Sequence, residues 1–129
     1  MAVYFFAPKA KVLHGILGGE NLYLEIADTS ILHEKGLSLH KPLAPNEGMI
    51  FIFSSDGKYG FWMKDMLFPI DILWLDSEYR IVYVKEDVAP SSYPEVFMPT
   101  TQARFVLELP AGFFKKHELH LGDTLKISR

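Results

Sequence analysis

Cysteine is absent from this 129-residue chain. Its absence excludes disulfides, thiolate nucleophiles and every zinc site built with sulfur. It does not separate cytosolic from exported proteins. Basic charge is also in short supply: 13 Lys and Arg against 16 Asp and Glu leave a net charge of −3. No electropositive field is present to hold a phosphate backbone, so nucleic acid is not an expected partner. No membrane span is expected either, because the apolar start at residues 2–7 is far shorter than the roughly 20 residues a membrane helix needs. Glycine-rich phosphate loops, Gly-x-Ser-x-Gly elbows and Rossmann fingerprints are missing, and Gly18-Gly19 reads as a turn. Histidines are scattered at His14, His33 and His40. His117 and His120 stand three apart, where a zinc-protease helix needs four. No metal and no cofactor are therefore expected.

What is there suffices for a folded core without staples: 49% of residues are hydrophobic and 14% aromatic. The length predicts one domain. Residues 1–21 read as an N-terminal extension or first strand, with an anchor stub as a further alternative, and residues 22–129 as a single β domain. The apolar residues 2–7 lack the basic start and length of a secretory signal. They read as a first strand or frayed end, with the stub of a membrane anchor as the sharper alternative.

Turn residues punctuate short apolar runs about ten residues apart. That rhythm predicts an all-β, mainly antiparallel sandwich or barrel-like domain with one or two short helices. Residues 22–26 alternate with period two, as a strand does. Asp28 is placed as the N-cap of a helix over residues 29–35, stopped by Gly36. Residues 49–53 are apolar on both faces, which suits a central strand. Ser55-Asp56-Gly57-Lys58 is a hairpin signal, with residues 59–64 as the returning strand. Residues 70–76, 80–85, 103–109 and 124–128 complete the strands, and residues 113–118 form a second short helix. Residues 87–102 hold Pro90, Pro94 and Pro99 around Tyr93, Phe97 and Met98. So long a loop is either functional or a cover for a sheet edge.

The densest signal is Phe61-Trp62-Met63-Lys64-Asp65-Met66-Leu67-Phe68-Pro69-Ile70-Asp71. Charge within an apolar run is unfavourable unless it is paired or used. Alternate residues of an extended segment share a face, about 6.8 Å apart. Trp62 and Lys64 therefore face together as an aromatic platform beside an ammonium, able to hold a sugar ring or a carboxylate. A core tryptophan beside a solvated lysine is the plainer reading. Asp71 is expected first to close the Pro69 turn by accepting the amides of residues 66–68. Alternatively it pairs with Lys64, or joins Asp65 as a hydrolytic carboxylate pair. Arg104 and Glu108 share a strand face but lie about 13 Å apart, out of pairing reach. Glu108, between Leu107 and Leu109, is expected to be partly buried in an ion pair with Lys64 or Arg80.

Several motifs occur in a telling order: Ala27-Asp28-Thr29, Lys35-Gly36-Leu37, Glu47-Gly48-Met49-Ile50-Phe51-Ile52-Phe53, Phe61-Trp62-Met63-Lys64-Asp65, Pro69-Ile70-Asp71-Ile72, Val106-Leu107-Glu108-Leu109-Pro110-Ala111-Gly112 and Leu121-Gly122-Asp123. On these the chain resembles the bacterial and archaeal family called domain of unknown function 192, over about residues 22–128. The resemblance implies a compact β-sandwich or barrel-like domain with small flanking helices. It also favours an exported or anchored protein, and carries no assigned reaction. Two departures stand out. The family usually has asparagine where Asp65 stands, and often an arginine near the position of His40.

The combined expectation is a non-catalytic β module. It would bind a small molecule, a glycan or other polymer, or a protein at Trp62, Lys64, Asp65 and Asp71. The loop carrying Tyr93 and Phe97 borders that surface, and Arg104 and Glu108 lie nearby. A hydrolase using Asp65 and Asp71 and a structural domain of the cell envelope are the alternatives.

Overall fold

The computed structural model describes residues 10–128, so the strand or anchor stub expected at residues 2–7 lies outside the described residues. The strands are β1 (Val12–Leu17), β2 (Glu20–Ala27), β3 (Glu47–Gly57), β4 (Ile70–Leu75), β5 (Ile81–Val88), β6 (Ala103–Pro110) and β7 (Lys126–Ser128). They form one seven-stranded sheet in the order β5-β4-β6-β3-β2-β1-β7. β2 and β3 run parallel and the other neighbours antiparallel. Two short helices, α1 (Ser30–Lys35) and α2 (Phe113–Lys116), flank the sheet.

The two ends of the sheet meet. Arg80 bridges Thr124, the Ile81 amide donates to the Asp123 carbonyl at 2.9 Å, and the Leu125 amide donates to the Tyr79 carbonyl at 3.0 Å. This closure uses backbone groups that an open edge would leave unpaired. The fold is thus the barrel-like form of the expected all-β architecture, with one curled sheet instead of two stacked ones. Strand β1 was not foreseen, because its pattern carries apolar residues on both faces: Val12 and Ile16 are exposed while Gly15 and Leu17 are buried. Gly18 and Gly19, with φ of 57° and 78°, make the two-residue turn into β2, a conformation that favours glycine.

Strand parity sorts the core into two clusters. Leu22, Leu24, Ile50, Leu73, Leu75, Ile81, Leu107 and Leu109 fill the face that the closing sheet encloses. Met49, Phe51, Ile72, Trp74 and Val106 lie on the opposite face, roofed by Leu37, Met63, Met66 and Phe68 from the connecting segments. Strand β4 is buried along its whole length, as its continuous apolar run requires. Packing is tight where β3 passes β6. A Cβ on Gly48 would stand 2.6 Å from the Glu108 carbonyl oxygen and 2.7 Å from Leu109 Cδ2. Gly48→Ala is therefore expected to destabilise the fold by roughly 2–3 kcal/mol, read as a lower denaturation midpoint in urea.

Residues 59–64 do not return as a strand. Both edges of β3 are already taken, by β2 and β6, so a hairpin partner has nowhere to pair. The chain instead leaves the sheet. The Tyr59 ring stacks on Phe53 at 3.6 Å, and the Tyr59 carbonyl accepts from the indole Nε1 of buried Trp74 at 2.8 Å. The N-cap of α1 is Thr29, whose hydroxyl accepts from the Leu32 amide at 3.2 Å, one residue beyond the expected Asp28. Gly36 ends that helix as expected, at φ 50°.

Candidate functional site

The site centres on Glu108. Strand β6 points it to the same side as Val106, away from the enclosed cluster and under the loops. Its ladder neighbours are Met49 and Ile72, both apolar. Glu108 is 3% exposed, and no side chain or amide among the described residues donates to its carboxyl. The expected ion pairs are not formed. Arg80 is engaged by Asp76 and Glu78, each at 2.9 Å, and the Lys64 ammonium lies 5.7 Å from the Trp62 ring centroid. Arg104 pairs with Asp56 at 2.9 Å. No fully enclosed side-chain N or O atom among the described residues lacks a hydrogen bond, so the Glu108 oxygens reach the surface of a cavity. Burial alone pushes its carboxyl up to about 8 from an ordinary 4.5, because nothing offsets the loss of water around the charge.

That cavity has a volume of about 230 Å³. One wall is a stack: His33 lies 4.3 Å from Phe53, and Phe53 lies 3.6 Å from Tyr59. Phe51 and Phe61 meet edge to face at 4.8 Å and form a second wall. Trp62, Leu37 and Met66 add to the lining, with the polar side chains of Glu34, Lys35 and Ser38. Gly36 passes close to the acid: a Cβ there would lie 3.3 Å from Phe51 Cζ and 3.5 Å from Glu108 Oε1. His33 holds α1 in place through its Nε2, which lies 2.8 Å from the Ile52 carbonyl. The Ser38 hydroxyl donates to the Lys64 carbonyl at 2.9 Å, and the Leu39 amide donates to the Asp65 carbonyl at 2.8 Å. These bonds tie the Lys35-Gly36-Leu37 motif to the Phe61–Asp65 motif across the mouth of the cavity.

Of the sequence candidates, Trp62 and Glu108 line the cavity. Trp62 and Lys64 do share a side, and Trp62 is 44% exposed with its ring 5.2 Å from that of Tyr93. Phe97 is joined to the site by its backbone, through the bridge to Phe61. Asp65 is exposed at φ 57°, and Arg104 lies outside the lining.

Asp71 plays a different part from any of those expected. It is fully buried on the enclosed face. Its Oδ1 accepts from the amides of Asp87 at 2.8 Å and Gly112 at 3.1 Å, and its Oδ2 accepts from Phe114 at 2.9 Å. These are the amides of β5 and of the start of α2, not those of residues 66–68. The Lys64 pair and the Asp65/Asp71 dyad are both absent, since this carboxylate is committed to backbone and closed to solvent. Among the described residues no three metal-ligating side chains converge, and no helix is long and apolar enough to cross a membrane.

Sequence reading missed His33, Gly36, Phe51, Phe53 and Phe61 as parts of one site. The available signal was the parity of β6, which puts a lone acid among core residues, together with Lys35-Gly36-Leu37.

A second titratable feature sits beside α1. His40 Nε2 lies 3.0 Å from Glu25 Oε1, and its Nδ1 lies 2.6 Å from the Lys41 carbonyl. Desolvation opposes charge there, but these two acceptors and the nearby Glu25 and Glu47 outweigh it and raise the His40 pKa.

A barrel-like β domain with a small aromatic pocket over one buried acid is the class of protein these features define. The chain belongs to the DUF192 family, described as Uncharacterized ACR, which it matches over residues 14–127. It is similar to UPF0127 proteins of archaea. One from Thermococcus gammatolerans is 30% identical over 91% of this chain and 69% of the relative. One from Pyrococcus abyssi is 31% identical over 80% of this chain and 84% of the relative. Two solved structures share the fold. A protein from Sinorhizobium meliloti described as a candidate transcription regulator has a TM-score of 0.87 and 26% identity, covering 95% of this chain and 98% of its own. A protein of unknown function from Novosphingobium aromaticivorans has a TM-score of 0.79 and 26% identity, covering 89% of this chain and 82% of its own.

Proposed function

We propose that this protein is a binding module for a small molecule, held in the aromatic pocket with Glu108 as its polar anchor. The single observation that carries the reading is the Glu108 carboxyl, buried in an apolar setting without a partner among the described residues. A polar group in such a place is unfavourable for the fold unless something else uses it. A few convergent polar atoms in a largely apolar concavity are the usual make-up of a ligand site. The volume of about 230 Å³ lies below the roughly 300–1,000 Å³ of pockets for drug-sized ligands, which favours a metabolite-sized occupant over a polymer. The description of the Sinorhizobium protein is not extended to this chain, whose net charge of −3 supplies no field for DNA.

A thermal-shift screen of metabolites tests the reading. A ligand at a hundredfold excess over its Kd should stabilise the protein by roughly 2.7 kcal/mol. Amide and indole NMR shifts should then map it to Gly36, Phe61 and Trp62. Hits that map elsewhere, or no hits across the library, contradict the reading. Trp62→Ala is expected to change stability by less than about 1 kcal/mol, since the ring is half exposed, while weakening a bound ligand about tenfold or more.

A further inference from the structure

We propose that the pocket takes a compact ammonium compound, its cationic head set against Glu108 and boxed by Phe51, Phe53, Phe61 and Trp62. The inference rests on the small-molecule reading above and names its ligand class. Three observations converge. Glu108 receives no donor among the described residues, so both oxygens are available to a cation. The surrounding walls are aromatic, and ring faces attract cations most strongly where water is excluded. One pocket ring already takes a cation: Lys64 Nζ stands over the Trp62 ring, 5.7 Å from its centroid, and outside the lining Lys85 Nζ stands over Phe97 at 5.8 Å.

An anionic ligand is disfavoured wherever Glu108 is ionised, as at pH 8.5. A neutral one would use the aromatic walls and hydrogen-bond the carboxyl, but would gain nothing from its ionisation. The other titratable groups at the pocket are His33, Glu34 and Lys35 on α1 and Tyr59 beyond β3. The strand neighbours Met49, Phe51 and Ile72 contribute none.

Binding a fixed cation requires Glu108 to ionise. Each molecule bound should therefore release close to one proton from its carboxyl to solvent at pH 6 to 7. Choline is a suitable probe because its nitrogen does not titrate. Its uncharged isostere, with a quaternary carbon in place of the nitrogen, is the matched control. Calorimetric titration of the full chain, in buffers of different ionisation enthalpy, reads affinity and proton release together. Choline should bind about tenfold or more tightly than the isostere at pH 8.5, where Glu108 is largely ionised. Its affinity should fall about tenfold per pH unit below pH 8. Glu108→Gln should abolish both the preference and the proton release.

Equal binding of choline and isostere, without proton release, overturns the ammonium assignment and leaves the small-molecule pocket standing. Binding of neither probe, together with an empty metabolite screen, overturns both. Proton release is measured on the unsubstituted protein, so the test does not depend on the variant folding.

Discussion

Asp71→Ala is expected to lower stability by roughly 3–5 kcal/mol, a large part of the 5–15 kcal/mol typical of a domain. The substitution removes a carboxylate with no exposed surface and leaves three amides, those of Asp87, Gly112 and Phe114, without their acceptors. Bonds from backbone amides to a charged oxygen are stronger than neutral ones, and each buried donor left unpaired costs about 1–3 kcal/mol. Asp71→Asn should recover only part of the loss, because its amide nitrogen would confront amide donors. Urea denaturation should show a lower midpoint at an unchanged slope. A loss below 1 kcal/mol would mean that Asp71 does not hold β5 and α2 to β4.

Glu108→Gln is expected to act in the opposite direction, and only above acidic pH. The folded-state pKa of Glu108 lies near 8, above the ordinary 4.5 of the unfolded chain. Between those values the folded protein binds one proton more than the unfolded chain, so the Glu108 contribution to stability falls as pH rises through this window. Integrated over the window at about 1.4 kcal/mol per pH unit, the difference approaches roughly 5 kcal/mol as an upper limit. Glutamine carries no such penalty. The two proteins should be nearly equal in stability at pH 4.5 and diverge progressively up to pH 8, with the variant the more stable.

Other groups titrate in both proteins alike. The raised pKa of His40 gives a contribution fully present below about 6.5 and lost as pH rises through its folded value. The lowered pKa of Asp76, where burial is outweighed by bonds from Arg80 and the Glu78 amide and by the Arg80 charge, gives one lost as pH falls. Comparing wild type with Glu108→Gln removes both from the difference.

Above acidic pH Glu108 is thus expected to weaken the fold, which fits its proposed role as an anchor for a ligand. Asp71 and Glu108 show how far the sequence reaches. Both are acids in apolar runs and both are expected to need compensation; Asp71 finds it in three backbone amides, whereas Glu108 finds no partner among the described residues. Local pattern could place them on opposite faces of neighbouring strands, since the parities of β4 and β6 are readable from Leu73, Leu75 and Val106. It could not say what lay opposite. The amides that satisfy Asp71 come from residues 16 to 43 positions further along the chain. The rings that surround Glu108 come from β3 and from a segment that reads as a strand yet pairs with none. The hairpin signal at Ser55–Lys58 failed for the same reason. Sheet order, which local alternation does not encode, had already given both edges of β3 to β2 and β6. The Trp62–Lys64 pair was legible because it is local. The pocket was not, because it is assembled from four separate segments.

The most direct test is an NMR titration of the Glu108 side-chain carboxyl carbon from pH 4 to 10, assigned by comparison with Glu108→Gln. A midpoint near 8, falling when choline is added, is the predicted result. A midpoint at the ordinary 4.5, unmoved by any ammonium compound, would show that the carboxyl is already compensated in the protein, and would contradict its role as an open anchor.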